Sequence, residues 1–383
     1  MRVLIAMDSF KGNLSSLGVA GIVEKGIRKV YPDAFIDKVA IADGGEGTVD
    51  AVVAAKSGKY IHTEVTGPMG KKVKARYGIV DGSTAVMEMA EASGLTLVPQ
   101  EERNPMLATT FGTGELIIDA IDRGCSRIIL GIGGSATNDG GAGMAMALGA
   151  KFLDRQGKEI GPGGGELGRL NTVDATGLDK RINQVEFLVA CDVDNPLCGE
   201  KGASRIFGPQ KGASPEMVEA LDRNLAHYAE AVKRACGIDI KDIPGSGAAG
   251  GLGGGLLAFC GASLKSGIGI VLDAIGIESR IKDADIVVTG EGRMDGQTAG
   301  GKVPVGMAGR AKTYGKPVFA IAGFLDKGAE QVYNHGIDAA MSSMVGPMSL
   351  DEAIKESPRL IEDAAERLFR IIKAVSLYYN SKE

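Results

Sequence analysis

Short apolar runs alternate with amphipathic stretches along most of the chain. Residues 3–7 form an unbroken apolar run, expected as a buried strand, and the spacing turns helical after Asn13. Val19, Ile22, Val23, Ile27 and Val30 then recur on one helical face, with Pro32 as a stop. A second strand is expected over 36–42, running into Asp43-Gly44-Gly45-Glu46-Gly47-Thr48. Residues 127–130, 186–190, 285–289 and 317–322 read as further strands, each ending in a polar or glycine-rich turn. Three helices stand out. One starts at Ser214-Pro215, places Val218, Leu221, Leu225, Tyr228, Val232 and Ala235 on one face, and stops at Gly237. Another runs from Pro105 or later to Arg123, with Gly124 ending it, and a third covers 351–379. This alternation predicts α/β layers with mainly parallel sheets.

A length of 383 residues suits two or three domains with ample core. The formal charge of −5 argues against a general nucleic-acid binder. Five cysteines, an odd number without a CxxC pair, point to a reducing cytoplasm. Three histidines (His62, His227 and His335) exclude a His-rich metal site. The apolar start is too short for a signal segment, and the uncharged stretch 243–264 is too rich in glycine for a membrane helix. The expected partner is therefore a small molecule, with neither nucleic acid nor membrane involved; monomer and homodimer are both open.

Glycine changes the picture most: 58 residues, about 15% of the chain, or roughly twice the usual share. Windows 131–149, 245–255 and 290–309 hold seven each, and two of them follow predicted strands. Strand–loop–helix junctions of this kind bind anions through free backbone N–H groups. Gly131-Ile132-Gly133-Gly134-Ser135-Ala136 fits a dinucleotide fingerprint, with Asp154 at a suitable distance. A nicotinamide-dependent oxidoreductase acting on a hydroxy acid is thus one alternative, and a non-catalytic nucleotide or hydroxy-acid sensor is another. The segment Gly296–Lys302 resembles a P-loop but continues with Val303 where a metal-binding hydroxyl belongs.

The polar residues in these loops favour phosphoryl transfer. Asp43 and Glu46, Asp139, Asp192 and Asp194, and Glu291 with Asp295 lie at predicted strand ends among small residues. Carboxylates so placed can hold Mg²⁺ or accept a hydroxyl proton. Lys11, Lys211, Arg293 and Lys302 can neutralise phosphate or a substrate carboxylate.

Seven segments, in order over nearly the whole chain, resemble the type I glycerate kinase family. They are Asp8–Gly12, Ala42–Thr48, Gly131–Gly143, Ala190–Leu197, Phe207–Ala213, Gly245–Gly255 and Thr289–Gly301. The resemblance implies phosphorylation of D-glycerate to 2- or 3-phosphoglycerate with ATP and Mg²⁺. It also implies two α/β domains: a flavodoxin-like parallel-sheet domain (1–62 and 284–383) split in sequence, and an inserted domain (63–283) resembling a restriction-endonuclease-like fold. The active site is then expected in the cleft separating these domains. The motifs locate the site, and chemistry suggests the roles. Asp192 takes the proton of the attacking hydroxyl, while Lys11 and Arg293 bind carboxylate or developing phosphate charge. Glu291 and Asp295 hold Mg²⁺, with Asp43 as a further carboxylate. Gly133, Gly134, Ser135, Gly251, Gly253 and Gly254 cradle ATP phosphates together with Lys211. Ser9, Asp43, Gly44, Gly45, Asn138, Asp139 and Gln297 are the residues expected on glycerate.

Overall fold

The computed structural model describes residues 1–380. The chain divides into two compact units: 1–43, 50–55 and 271–383 form the first, and 44–49 and 56–270 the second.

The first unit is built on five parallel strands. Across the sheet they run Phe35–Lys38, Arg2–Met7, Ile286–Gly290, Val318–Ala322 and Ala339–Ser342. Numbered along the chain within this unit, the order is 2-1-3-4-5, so the winding reverses where Arg2–Met7 pairs with Ile286–Gly290. In open α/β sheets, the carboxyl ends of the strands at such a reversal frame the ligand crevice. Here those ends are Met7 and Gly290, which are register partners, and the Asp8 N–H donates to the Gly290 carbonyl at 2.8 Å. Helix Ser16–Arg28 buries Val19, Val23 and Ile27 in a cluster with Ile361, Ala365 and Leu368 of helix Ser357–Asn380. Each such burial contributes on the order of 1.5–3 kcal/mol, which fixes the sheet ends that follow.

Two expected elements of this unit differ. The strand expected over 36–42 pairs only through Lys38; the Val39 N–H still donates to Ile5, and the chain then leaves the ladder. The helix expected over 351–379 is two helices, Leu350–Lys355 and Ser357–Asn380. Pro358 has no N–H to return to Ile354, and its ring crowds that carbonyl, so the first helix stops and the second restarts.

The second unit carries a six-stranded mixed sheet. Ser263–Lys265, Glu186–Ala190, Arg127–Gly131 and Thr84–Glu88 are parallel, while Lys72–Val80 and Lys59–Thr66 continue it antiparallel. This charged, half-exposed edge pair lacks the apolar run that marked the buried strands, and the sequence reading passed over it. Helix Pro215–Cys236 matches its sequence markers. The Ser214 hydroxyl accepts from the Met217 N–H, and Gly237 takes the left-handed conformation (φ 75°) that ends the helix. Helix Phe111–Asp122 begins later than Pro105 and ends before Gly124 as expected. All five cysteines are free. Among the described residues, no helix is long and apolar enough to cross a membrane.

Candidate active site

In the first unit, the loop after Arg2–Met7 and the loop after Ile286–Gly290 bring opposite charges to the sheet's reversal. Asp8 is only 4% exposed, and the Ser9 N–H donates to its Oδ1 at 2.7 Å. Burial first, and then repulsion from Asp43, push the Asp8 carboxyl up to about 7; the Ser9 N–H and Lys11 pull the other way. Glu291 is also buried, and burial pushes its carboxyl up, with Asp295 and Asp43 adding repulsion. The Thr298 hydroxyl donates to Glu291 Oε1 at 2.6 Å, and the Lys302 ammonium lies 3.7 Å from Oε2. Asp295 Oδ1 accepts from the Gln297 N–H at 2.9 Å. Arg293 is largely exposed and pairs with Asp326 at 2.5 Å and with Asp295 at 3.6 Å. A cavity of about 380 Å³ opens here, with Ser9, Lys11, Glu291, Arg293, Asp295 and Lys302 among its lining residues. Gln297 is exposed and does not line it.

A second set of expected residues gathers in the second unit. Asp43 and Gly44 are consecutive but belong to different units. Gly44 adopts φ 91°, and a Cβ there would lie 2.5 Å from Ala190 Cβ and 2.8 Å from Gly267 Cα. Only glycine can therefore press this loop onto the end of strand Glu186–Ala190. Asp192 follows that strand, is exposed, and accepts from the Gly267 N–H at 2.9 Å. Gly45 approaches Gly133, and both Gly133 and Gly134 are exposed. Gly44, Gly45, Gly133 and Asp192 thus meet around the carboxyl ends of two neighbouring strands.

Other expected contacts are taken up by the protein itself. Asp139 is fully buried; the Thr110 N–H and hydroxyl and the Gly141 and Gly143 N–H groups all donate to it. It ties together the starts of helices Phe111–Asp122 and Ala142–Ala147, which leaves no oxygen for a substrate. Asn138 is buried beside it; its amide N–H donates to the Ser204 hydroxyl at 2.9 Å, whereas its Oδ1 has no hydrogen-bond partner among the described residues. Gly251, Gly253 and Gly254 are buried against protein; a Cβ on Gly253 would lie 2.3 Å from the Gly245 carbonyl oxygen. Their absent side chains serve close packing against Gly140, Leu197, Ile240 and Gly245 rather than an open phosphate loop. Lys211 is buried, and its ammonium donates to the Ser135 hydroxyl and the Thr137 carbonyl, each at 2.7 Å. It secures the Gly133–Gly134 loop from beneath.

The Lys211 arrangement predicts a pH-dependent stability. Burial pushes its amine from the usual 10.5 down to about 7. Between those values the unfolded chain holds a proton that the folded chain has released, so stability rises with pH across that window. Below pH 7 both states are charged and the burial cost is fully present. Lys211→Met is therefore expected to gain most, relative to wild type, near pH 6.5. That advantage should shrink toward pH 10 by at most about 1.4 kcal/mol per pH unit. Urea unfolding at pH 6.5 and 9 measures this, and a pH-independent difference would contradict it.

The dinucleotide reading is overturned by the local fold. Strand Arg127–Gly131 is followed by turns, and the next helix along the chain begins only at Ala142, so Gly131–Ala136 does not open a helix as the dinucleotide fingerprint requires. Asp154 pairs with Arg169 at 3.3 Å and accepts from the Gln156 and Lys158 N–H groups, holding its own turn. The sequence reading, for its part, left Asp8 out of the site. Its signal was available: a carboxylate at a strand end, followed by Ser9-Phe10-Lys11-Gly12, by the same rule that singled out Asp43.

Comparison with known proteins places this geometry in a family. The model of the glycerate kinase family matches residues 3–373. The chain is 56% identical to glycerate 2-kinase of Escherichia coli (strain K12), over 93% of both chains. It is 52% identical to glycerate kinase of Bacillus subtilis (strain 168), covering 97% of this chain and 98% of that one. A crystal structure of a protein assigned as glycerate kinase 2 from Salmonella typhimurium LT2 superposes with a TM-score of 0.88 at 50% identity. That match covers 98% of this chain and 99% of the other. With a family model matched over residues 3–373 and relatives at 52–56% identity matched over more than nine-tenths of the chain, the chain belongs to the glycerate kinase family.

Proposed function

We propose that the protein transfers the γ-phosphoryl group of ATP to D-glycerate, giving 2-phosphoglycerate. The observation that carries this reading is the pair of buried, mutually repelling carboxylates, Asp8 and Glu291, set beside Lys11 and Lys302 at the reversal point of the sheet. Buried carboxylates held against their own repulsion store a demand for positive charge. Among the described residues, no three such side chains are grouped closely enough to hold a metal alone. Mg²⁺ ordinarily takes one or two carboxylates and completes its shell with water and phosphate oxygens, so the residues present fit it. Glu291 and Asp295 would hold the Mg²⁺ that accompanies ATP, whose chemistry is to neutralise phosphate charge.

The remaining work falls to side chains. Lys11, Lys302 and Arg293 balance the charge spreading over the γ-phosphoryl oxygens. The substrate hydroxyl oxygen bonds to the γ-phosphorus, the bond to the β-phosphate bridging oxygen breaks, and ADP leaves. Asp192 accepts the hydroxyl proton. Gly44, Gly45 and the Gly133–Gly134 loop offer backbone close to Asp192 for positioning the acceptor.

We further read the first unit as a flavodoxin-like domain, supported by its all-parallel 2-1-3-4-5 order. The second is read as an inserted domain resembling a restriction-endonuclease-like fold, supported by the continuous run of 56–270 flanked by parts of the first. Five free cysteines suit a cytoplasmic location. The test is incubation with ATP, Mg²⁺ and D-glycerate, followed by phosphorus NMR. A new phosphomonoester coupled to one proton identifies the 2-phosphate, and coupling to two protons would move the reaction to the 3-hydroxyl. No product would overturn the reading.

A further inference from the structure

The 380 Å³ cavity of the first unit has a mixed lining. Part of it is the charged set already described. Much of the rest is apolar: Phe10, Phe324, Met344, Leu350 and Ile354. Leu350 is 75% exposed and Phe324 45%, a large apolar rim that the folded chain leaves uncovered. The Asn13 amide donates to the Ser357 hydroxyl at 2.8 Å, which pins the loop after the first strand to the helical wall. The volume falls within the range of about 300–1,000 Å³ usual for small-molecule sites.

D-glycerate is a three-carbon acid with two hydroxyls, and it has nothing to lay against such a wall. ATP has both halves: a flat purine whose faces pack on apolar side chains, and an anionic tail. We propose that this cavity is the nucleoside site, with the purine against Phe324, Leu350 and Ile354 and the triphosphate directed toward Lys11, Arg293 and Lys302. The inference rests on the kinase reading and refines it, since the sequence placed the nucleotide on the glycine loops of the other unit. Burying a purine face on aromatic and aliphatic side chains supplies affinity, and the charged residues set its direction.

The test uses the full chain and direct titration calorimetry with three probes: ATP, inorganic tripolyphosphate and D-glycerate. Ile354→Glu introduces a charge at a partly exposed position, and Phe324→Ala removes a ring; both positions are exposed enough to leave folding intact, which thermal melting checks. Leu350→Ser serves as a third variant should Ile354→Glu not fold. ATP affinity is expected to fall about tenfold or more, while tripolyphosphate and D-glycerate affinities stay within about twofold. Unchanged ATP affinity in folded variants overturns the assignment, as does a loss confined to D-glycerate. A fall in sedimentation mass with ATP affinity intact would mark the rim as a self-association face and would also overturn it. Failure of the kinase reading looks different: wild type that binds ATP through this cavity but forms no product with D-glycerate leaves the site standing and removes the reaction. Product formation with variants that bind ATP like wild type removes the site alone.

Discussion

Asp8→Asn is expected to lower turnover at least about a hundredfold and, at the same time, to make the free protein more stable at pH 8. The stability half follows from the carboxyl's displacement from 3.8 to about 7. Between those values the folded protein binds a proton that the unfolded chain does not. Stability therefore falls as pH rises through that window, and the cost is complete above pH 7. Asparagine keeps an oxygen for the Ser9 N–H, now donating at 2.7 Å, and removes the charge that repels Asp43 and Glu291. The variant should gain about 1–4 kcal/mol over wild type at pH 8 and much less near pH 4. Urea unfolding across pH 4–8, paired with steady-state kinetics, measures both halves. A variant less stable than wild type at pH 8 would mean that Asp8 is a structural acid. Normal turnover would remove it from the site.

Asp8 also shows what the sequence could and could not reveal. Strands and helices with a continuous apolar run or a clear face were legible: residues 186–190 form the expected strand, and Ser214, Pro215 and Gly237 bracket a helix as read. The edge strand Lys59–Thr66 and its inner neighbour Lys72–Val80 were not, because these half-exposed strands mix Lys, Arg, Glu and Thr with their apolar residues. The site was legible as motifs but less so as roles. Strand-end position singled out Asp43, Asp192 and Glu291, yet it cannot distinguish a carboxylate facing a cavity from one whose oxygens are consumed by backbone. Asp139 sits in as suggestive a loop as Asp192 but is enclosed by Thr110, Gly141 and Gly143. Glycine is ambiguous for a related reason: Gly44 and Gly253 both lack a Cβ because backbone lies too close, and only the first lies next to the residues around Asp192. Burial by residues distant in sequence decides these cases, and local pattern carries no record of it.

Asp192→Asn carries the other large expected effect. Asparagine retains an oxygen for the Gly267 N–H and so preserves the loop that Gly44 presses onto, but it cannot take up a proton. The kcat is expected to fall by about 10²–10⁴, the usual worth of a general base, with the KM for ATP within about twofold of wild type. The pH–rate profile adds a readout that mere loop damage would not give. The acidic limb, where a base loses activity as it becomes protonated, should disappear from kcat at saturating D-glycerate, leaving a low, flat rate. In Asp8→Asn that limb should persist beneath the reduced rate, because the proton acceptor is still present. Near-normal turnover of Asp192→Asn, together with loss of the acidic limb in Asp8→Asn, would transfer the base role to Asp8. Its carboxyl, held at about 7 by burial and by Asp43, is already poised to exchange a proton near neutral pH.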